Sequence, residues 1–292
     1  MAELLSYLAS PFAVRATIAL LLVAVNAAFS GAFAGFRNST FLVSGASHAA
    51  LAGAAFVIVL EAHDLSVGLS PVVGGAVFAV ALALVAGNAS NRGVQADVDT
   101  AIGVGFALAM ALAVLFISLV PQSASRVWGL LLGDLMLITT GELWLLGAMT
   151  LIVVVLFGLF RREFLFITFD LEGARAFGVH AVRYNYLLFA LIGLSSAILV
   201  KGIGAILVFA MLSAPAATAL LVASSVGRTM WISFWLTLGA GLLGVVVSFF
   251  TSFSVSALAA FFATAAYFVV RAWQWLRERR APHGEAAVAA GA

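Results

Sequence analysis

The sequence predicts an all-α membrane protein that crosses the bilayer eight or nine times and carries one short helix on the membrane surface. Two observations lead to this fold class. Hydrophobic residues make up 64% of the 292 residues and charged residues only 9%, whereas a soluble domain carries roughly a quarter charged residues. The hydrophobic residues are also concentrated in runs of about 17–25 residues, the length that an α-helix needs to cross a membrane.

Nine apolar runs are long enough to cross the hydrocarbon core. They are residues 12–36, 41–60, 71–88, 100–120, 142–160, 184–200, 203–224, 230–250 and 254–276. A shorter piece from Val127 to Ile138 is interrupted by Asp134, and we expect it to lie at the interface or to re-enter the membrane. Eight crossings result if one short run does not span. Residues 1–280 then form one transmembrane domain, and residues 281–292 form a disordered tail.

Basic residues are distributed unevenly over this nine-span arrangement. If the amino terminus is outside and the carboxyl terminus inside, eleven basic residues lie inside, and only Arg15, Arg126 and Lys201 lie outside. The cytoplasmic loops of membrane proteins carry the excess of arginine and lysine. We therefore expect an outside amino terminus and a cytoplasmic carboxyl terminus.

The segment 161–183 is the one substantial polar connection between predicted spans. It contains both acidic and basic residues, and residues from about 168 to 180 are predicted to form a short helix on the cytoplasmic side. Such a helix is either an ordinary interfacial helix or a docking site for a cytoplasmic partner.

His48 lies near the middle of the second run, where an ionisable side chain is costly and marks a candidate functional site. Ser44 is four residues earlier and shares its helix face, and Ser47 is adjacent. A neutral imidazole is the commonest protein ligand for a transition metal. The alternative is a histidine that is hydrogen-bonded between helices.

Further polar residues are candidates to complete a metal-binding set with this histidine. They are Asn26 in the first run, Asp134 in the short piece, Glu142 at the start of the fifth run, and Glu61, His63 and Asp64 beyond the second run. Carboxylate and imidazole groups bind divalent cations, although the last three also fit a solvated loop and Asp134 also fits a helix cap. Pro215 lies inside the seventh run, where it predicts either a packed kink or a hinge.

Several functions are excluded or disfavoured by what the sequence lacks. It contains no cysteine, which excludes disulfides and thiolate metal sites. The phosphate-binding pattern G-x-x-x-x-G-K-[ST], the H-E-x-x-H motif and the nucleophile elbow are absent. We therefore expect no enzyme, no permanently bound cofactor and no nucleic-acid partner, and any ATP-driven cycle must use an ATPase on another polypeptide.

Four motifs follow one another along the chain. They are S-H-A-x-x-x-G at 47–53, D-T-A-I-G at 99–103, F-D-x-E-x-A-x-x-x-G-V at 169–179 and G-x-x-L-V-x-A-x-x-x-x-P-A-A-x-A at 204–219. In this order and spacing they resemble the permease subunits of zinc, manganese and iron ABC importers, the ABC-3 family. The resemblance covers about residues 31–225.

The resemblance implies a homodimeric permease in a bacterial cytoplasmic membrane, with a translocation path enclosed by the two copies. It also implies a soluble metal-binding protein that docks outside and two ATP-binding cassette subunits that dock inside. The third motif would be the coupling helix that contacts the ATPase, through Asp170, Glu172, Ala174 and Gly178. The transported substrate would be a divalent transition metal ion.

The chain departs from the family at one expected ligand. The family's second span carries an aspartate and a histidine as metal ligands, and here Ser44 stands at the aspartate position while His48 is kept. Loss of a carboxylate weakens the binding of manganese more than that of zinc. We therefore expect a preference for zinc, unless Asp134 or Glu142 supplies the missing carboxylate.

Two other functions remain open at this stage. One is an ABC permease for a metal chelate such as a siderophore or cobalamin, which needs no histidine in its path. The other is a metal transporter or channel that works without an ATPase.

Overall fold

The described part of the chain is built from α-helices, as predicted. The computed structural model describes residues 6–65, 68–120, 124–133, 135–251 and 253–280, so the predicted tail 281–292 lies outside it. Within these ranges we number the helices in chain order. They are α1 (Pro11–Phe36), α2 (Phe41–Ala62), α3 (Pro71–Ser90), α4 (Gln95–Leu119), α5 (Ala124–Leu132), α6 (Thr140–Leu159), α7 (Arg161–Phe169), α8 (Leu171–Ala176), α9 (Ala181–Ile203), α10 (Ala205–Val222), α11 (Val226–Phe250) and α12 (Val255–Arg280).

Nine of the described helices are long and apolar enough to cross a membrane, which agrees with the nine predicted runs. They are α1, α2, α3, α4, α6, α9, α10, α11 and α12. The observed helices extend beyond the apolar runs at polar ends. For example, α4 begins at Gln95, whereas the apolar run begins at residue 100, because the first five residues of the helix include Asp97 and Asp99.

The polar connection contains two helices where the sequence predicted one. Helix α8 lies within the predicted limits 168–180, and α7 precedes it. Phe164 and Ile167 of α7 are fully buried, and their spacing of three places them on one face of the helix. Asp170 separates the two helices in an extended conformation. Helix α7 was missed because its two buried residues lie in a segment rich in charge.

Helix α2 lies at the centre of the bundle. Of its most apolar 18-residue stretch, 89% is buried, compared with 17% of the corresponding stretch of α4. A Cβ atom added at Gly53 would collide with the backbone carbonyl of Gly74 in α3. Glycine at both positions therefore allows the two backbones to touch, as small residues do between membrane helices. The helix that carries His48 is consequently enclosed by its neighbours.

Pro215 lies inside α10, where it removes one backbone hydrogen bond. The carbonyl group left without its usual partner is that of Met211, four residues earlier. The Thr237 hydroxyl of α11 donates to this carbonyl oxygen at 3.3 Å. A side chain on a neighbouring helix thus replaces the missing N–H, which is how membrane helices tolerate proline.

A π-helical turn interrupts α1 at Ala27–Gly31. Gly31 lies directly against the backbone carbonyl of Leu212 in α10, and a Cβ atom there would collide with it. Single π-turns widen a helix locally. The turn therefore lies where the backbone of α1 comes close to that of α10.

The two ends of the bundle differ in their polar residues. Arg37, Arg92 and Arg175 lie at one end with α7 and α8, and we call this the arginine end. At the other end, the lysine end, Lys201 Nζ lies 3.8 Å from Glu142 Oε1. The two groups of charged residues lie at opposite ends of the bundle, because Asn185, which contacts Arg37, and Lys201 lie near opposite ends of α9.

Candidate functional site

His48 and its two serine neighbours form one buried turn of α2. The side chain of His48 is 8% exposed. Its Nδ1 atom lies 2.8 Å from the backbone carbonyl oxygen of Ser44, and the Ser47 hydroxyl donates to the same oxygen at 2.9 Å. The structure therefore brings together the three residues that the sequence singled out in this run.

This hydrogen bond determines the tautomer of the His48 ring. A carbonyl oxygen can only accept, so Nδ1 carries a proton, and in the neutral ring Nε2 then carries the lone pair. Metal-binding histidines have this arrangement, in which one ring nitrogen donates to a carbonyl and the other binds the ion. Nε2 of His48 is thus chemically suited to bind a divalent cation.

Phe106 of α4 covers the imidazole ring of His48. The two rings meet edge-on with their centroids 4.7 Å apart. Phe106 also contacts Phe41 at the start of α2, at 5.5 Å, and Phe41 contacts Phe209 of α10, at 6.3 Å. An ion that approaches His48 from the side of α4 must therefore displace Phe106. Sequence reasoning missed this aromatic side chain, which lies 58 positions away in an unremarkable apolar run.

Asn26 lies in α1 and holds three helices together. Its amide nitrogen donates to the Leu22 carbonyl at 2.9 Å and to the Thr150 hydroxyl of α6 at 2.8 Å. Its amide oxygen accepts a hydrogen bond from Ser195 of α9 at 2.7 Å. None of these partners lies on α2, so the hydrogen bonds give Asn26 a packing role between α1, α6 and α9.

Glu142 lies at the lysine end, where it caps α6. Its carboxylate accepts from the Thr139 backbone N–H at 2.9 Å, and the Thr139 hydroxyl accepts in return from the Glu142 N–H at 3.3 Å. The same carboxylate forms the ion pair with Lys201. The other candidate carboxylate, Asp134, lies outside the described residues.

Glu61, His63 and Asp64 are exposed where α2 ends. Asp64 has a left-handed backbone, with φ of 57°. Among the residues that the structure describes, no group of three or more histidine or carboxylate side chains is placed to hold a metal ion. The three side chains of this cluster therefore do not converge, and His48 has no complete ligand set in one copy of the described chain.

Helix α8 is a capped, exposed helix at the arginine end. The Asp170 carboxylate accepts from the Gly173 N–H at 2.7 Å, Glu172 is exposed in the first turn, and Ala174 is fully buried. Gly178, the glycine near the end of the motif, has φ of 78°. Glycine adopts this left-handed backbone conformation without strain. Each motif residue thus has a distinct structural role.

Large aromatic side chains flank α8 and are exposed. Phe169 is 64% exposed and Phe177 is 82% exposed. Exposed apolar side chains next to a polar surface are typical of protein interfaces. The surface formed by α8 and these two residues is therefore suited to contact a partner.

Arg37 is a second residue whose importance sequence reasoning missed. It follows α1 directly, is half-buried, and donates hydrogen bonds to three other segments of the arginine end. Burial lowers the pKa of its guanidinium from the ordinary value. The sequence signal was only a basic residue next to an apolar run, and the partners lie 53 to 148 positions away.

Comparison with known proteins places this geometry in one group of transporters. Residues 9–274 match the ABC 3 transport family. The chain is 29% identical to the manganese import system permease protein ScaB of Streptococcus gordonii, over 84% of each chain. It is 28% identical to the manganese transport system membrane protein MntC of Listeria monocytogenes, over 88% of this chain and 89% of the other.

A solved structure has the same fold. It is PsaBC from Streptococcus pneumoniae in complex with Fab, with a TM-score of 0.77 and 25% sequence identity, and the match covers 92% of this chain and 94% of that chain. The helical arrangement described above is therefore that of a known importer-type permease.

Proposed function

The chain belongs to the ABC 3 transport family, and we propose that it is the membrane-spanning subunit of an ATP-driven importer of a divalent transition metal ion. The observation that carries the proposal is the buried imidazole of His48 in the central helix α2, whose Nδ1 atom is held by the Ser44 carbonyl so that Nε2 is the nitrogen available to an ion. The relatives described above are permeases rather than enzymes. This agrees with the absence from this sequence of a nucleotide-binding motif.

Manganese is the transported ion that the relatives support. The relatives described above are named as manganese systems, and none of these names supports the expectation of zinc. The physical argument for zinc rests on Ser44, since a hydroxyl is a weaker ligand than a carboxylate for a hard cation such as Mn²⁺. The names also favour the free ion over a metal chelate as the substrate.

The surface around α8 supports an ATPase as the partner at the arginine end. The helix is short, capped and exposed, and Phe169 and Phe177 flank it with apolar surface. We place this end in the cytoplasm, with the amino terminus outside and the carboxyl terminus inside a bacterial cytoplasmic membrane. A soluble metal-binding protein then docks at the lysine end.

A homodimer completes the proposed assembly. One described chain offers His48 without a full ligand set, and helix α4, which covers His48 through Phe106, is mostly exposed in the single chain. A second copy that packs against α4 would enclose a path beside His48. Movement of α4 relative to α2 would then open and close access to the imidazole.

The mechanism that follows is alternating access. Closure of the two ATPase subunits pushes on α8, and the displacement passes through the bundle to α2 and α4. The ion binds weakly at His48 from one side and leaves from the other, because a transported ion must also be released. Tight capture is left to the external binding protein.

Reconstitution tests this function directly. Purified chain in liposomes with its ATPase and binding protein should take up ⁵⁴Mn²⁺ only when ATP is present on the ATPase side. The chain alone should show no ATP-dependent uptake. Uptake at the same rate without the ATPase would make the chain an independent transporter or channel and would contradict the proposal.

The substitution Ser44→Asp tests the choice of ion. It restores the family's carboxylate one helical turn from His48, so we expect the ratio of manganese to zinc uptake to rise about tenfold, the lower limit of changes seen when groups around a metal site are altered. Ser44→Asn, which adds similar volume without charge, is the matched control. An unchanged ratio in Ser44→Asp would show that position 44 does not contact the ion.

A further inference from the structure

We propose that Arg37 is a positioning residue that transmits movement of α7 and α8 to the start of α2, and so to His48. The inference rests on the proposed function, because it concerns how the ATPase acts on the ion path. It depends on four features of the structure: a rigid joint, the hydrogen bonds of one guanidinium, a second connection through α8, and the absence of a counter-ion.

The joint between α1 and α2 is short and well fixed. Only four residues separate Phe36 from Phe41. Within them, the Ser39 N–H donates to the Ala34 carbonyl at 2.8 Å, and the side chain of Ser39 is 1% exposed. A force applied at Arg37 therefore moves the first turn of α2. His48 lies seven residues beyond Phe41, about 10 Å along the helix axis.

The guanidinium of Arg37 joins this joint to three segments. Its Nη1 atom donates to the carbonyl of Ile167 in α7 at 2.9 Å. Its Nη2 atom donates to the Ser90 hydroxyl at the end of α3 and to Asn185 Oδ1 in α9 at 3.0 Å. Since Ile167 lies in α7 only three residues before Asp170, the cap of α8, a displacement of α8 acts on the α1–α2 joint through this bond.

Helix α8 is connected to the same cluster by a second route. Its Arg175 side chain donates to the Asn91 carbonyl at 2.8 Å. The Asn91 side chain accepts from Asn185 Nδ2 at 3.1 Å, and Asn185 is the residue that Arg37 contacts. Both α7 and α8 thus reach Arg37, one directly and the other through Asn91 and Asn185.

Arg37 has no carboxylate partner among the described residues. Its charge is held by neutral acceptors alone, and its Nε atom is buried without a hydrogen-bond partner. A half-buried charge that is hydrogen-bonded only to neutral groups costs free energy of desolvation, so a neutral side chain could join these helices at lower cost. The planar guanidinium explains the use of arginine, because it can contact three segments at once, as lysine cannot.

The polar cleft beside this cluster provides room for movement. It has a volume of about 430 Å³ and is lined by Arg37, Thr168 and residues of α8 and its cap. The Thr168 hydroxyl is buried without a partner. Two side chains of the cleft therefore have unused hydrogen-bonding atoms, which can gain new partners when α7 and α8 shift.

The substitution Arg37→Lys tests this role in the reconstituted complex. It keeps the charge but cannot keep all the hydrogen bonds, so we expect the number of metal ions imported per ATP hydrolysed to fall at least about fivefold. The matched control is Arg92→Lys. Arg92 is exposed in the same cleft, and its side chain makes no hydrogen bond with the described residues; the control should keep the wild-type ratio.

A second variant distinguishes a loss of coupling from a loss of the folded protein. Ser90→Ala removes one acceptor of Arg37 and little else, and it should lower the same ratio by a smaller factor at an unchanged melting temperature. A wild-type ratio in both variants would overturn the inference while leaving the proposed function intact. Failure of the wild-type complex to import metal with ATP would instead overturn the proposed function.

Discussion

Replacement of His48 by alanine is expected to abolish metal uptake while the complex still assembles. The imidazole of His48 is the one histidine donor of α2, and it lies in the buried part of that helix. Changes in groups that merely support a metal ligand reduce affinity about 10–100-fold. Loss of the ligand itself should reduce ATP-dependent uptake at least as much. Uptake of ⁵⁴Mn²⁺ into proteoliposomes measures the effect.

Two controls separate a lost ligand from a damaged fold. His48→Gln keeps a polar side chain in the buried site and should be as inactive as His48→Ala, because a carboxamide does not replace the imidazole nitrogen. His180→Ala removes an exposed histidine at the arginine end and should retain uptake. Wild-type uptake by His48→Ala, in a complex of normal size, would remove His48 from the ion path.

Replacement of Gly178 by valine is expected to uncouple ATP hydrolysis from transport. Gly178 has φ of 78°, and a left-handed backbone costs an ordinary residue about 1–2 kcal/mol and a β-branched residue more. The chain would relieve this strain by changing the end of α8, where the Val179 N–H donates to the Ala174 carbonyl at 3.0 Å. We expect ATPase activity to persist while metal uptake falls at least about tenfold. A change of this size is within the usual range of coupling between two sites in a protein.

Gly227→Val is the matched control for this variant. Gly227 is exposed in the first turn of α11, and a Cβ atom there would meet nothing within 4 Å. Its backbone is not left-handed, so valine should leave both activities unchanged. A normal ratio of uptake to hydrolysis in Gly178→Val would contradict the assignment of α8 as the coupling helix.

The spans and α8 could be predicted from the sequence because their signals are local. Whether an apolar run is long enough to cross the membrane can be read from the run itself. Residues Asp170 to Gly178 form a helix cap, a helix and a left-handed glycine in that order. The close relation of Ser44 to His48 also follows from a spacing of four. Such features depend on residues within one or two helical turns.

The contacts of Arg37 and Phe106 could not be predicted in the same way. Arg37 meets Asn185 across 148 positions, and Phe106 is one of 24 phenylalanines in the chain. Only the packing of α4 against α2 distinguishes it. The π-turn in α1 likewise has no compositional signature, since it reflects the approach of Gly31 to the backbone of α10.

The proline in α10 has a consequence for how readily the bundle can bend. Helix α10 lacks one of its internal backbone hydrogen bonds at Pro215. A single hydrogen bond from the Thr237 hydroxyl to the Met211 carbonyl oxygen replaces it. Hydrogen bonds between membrane helices are worth about 0.6 kcal/mol on average, which is close to thermal energy at room temperature. This hydrogen bond is therefore a weak constraint on α10 at its proline, and a docking partner needs to supply little free energy to break it.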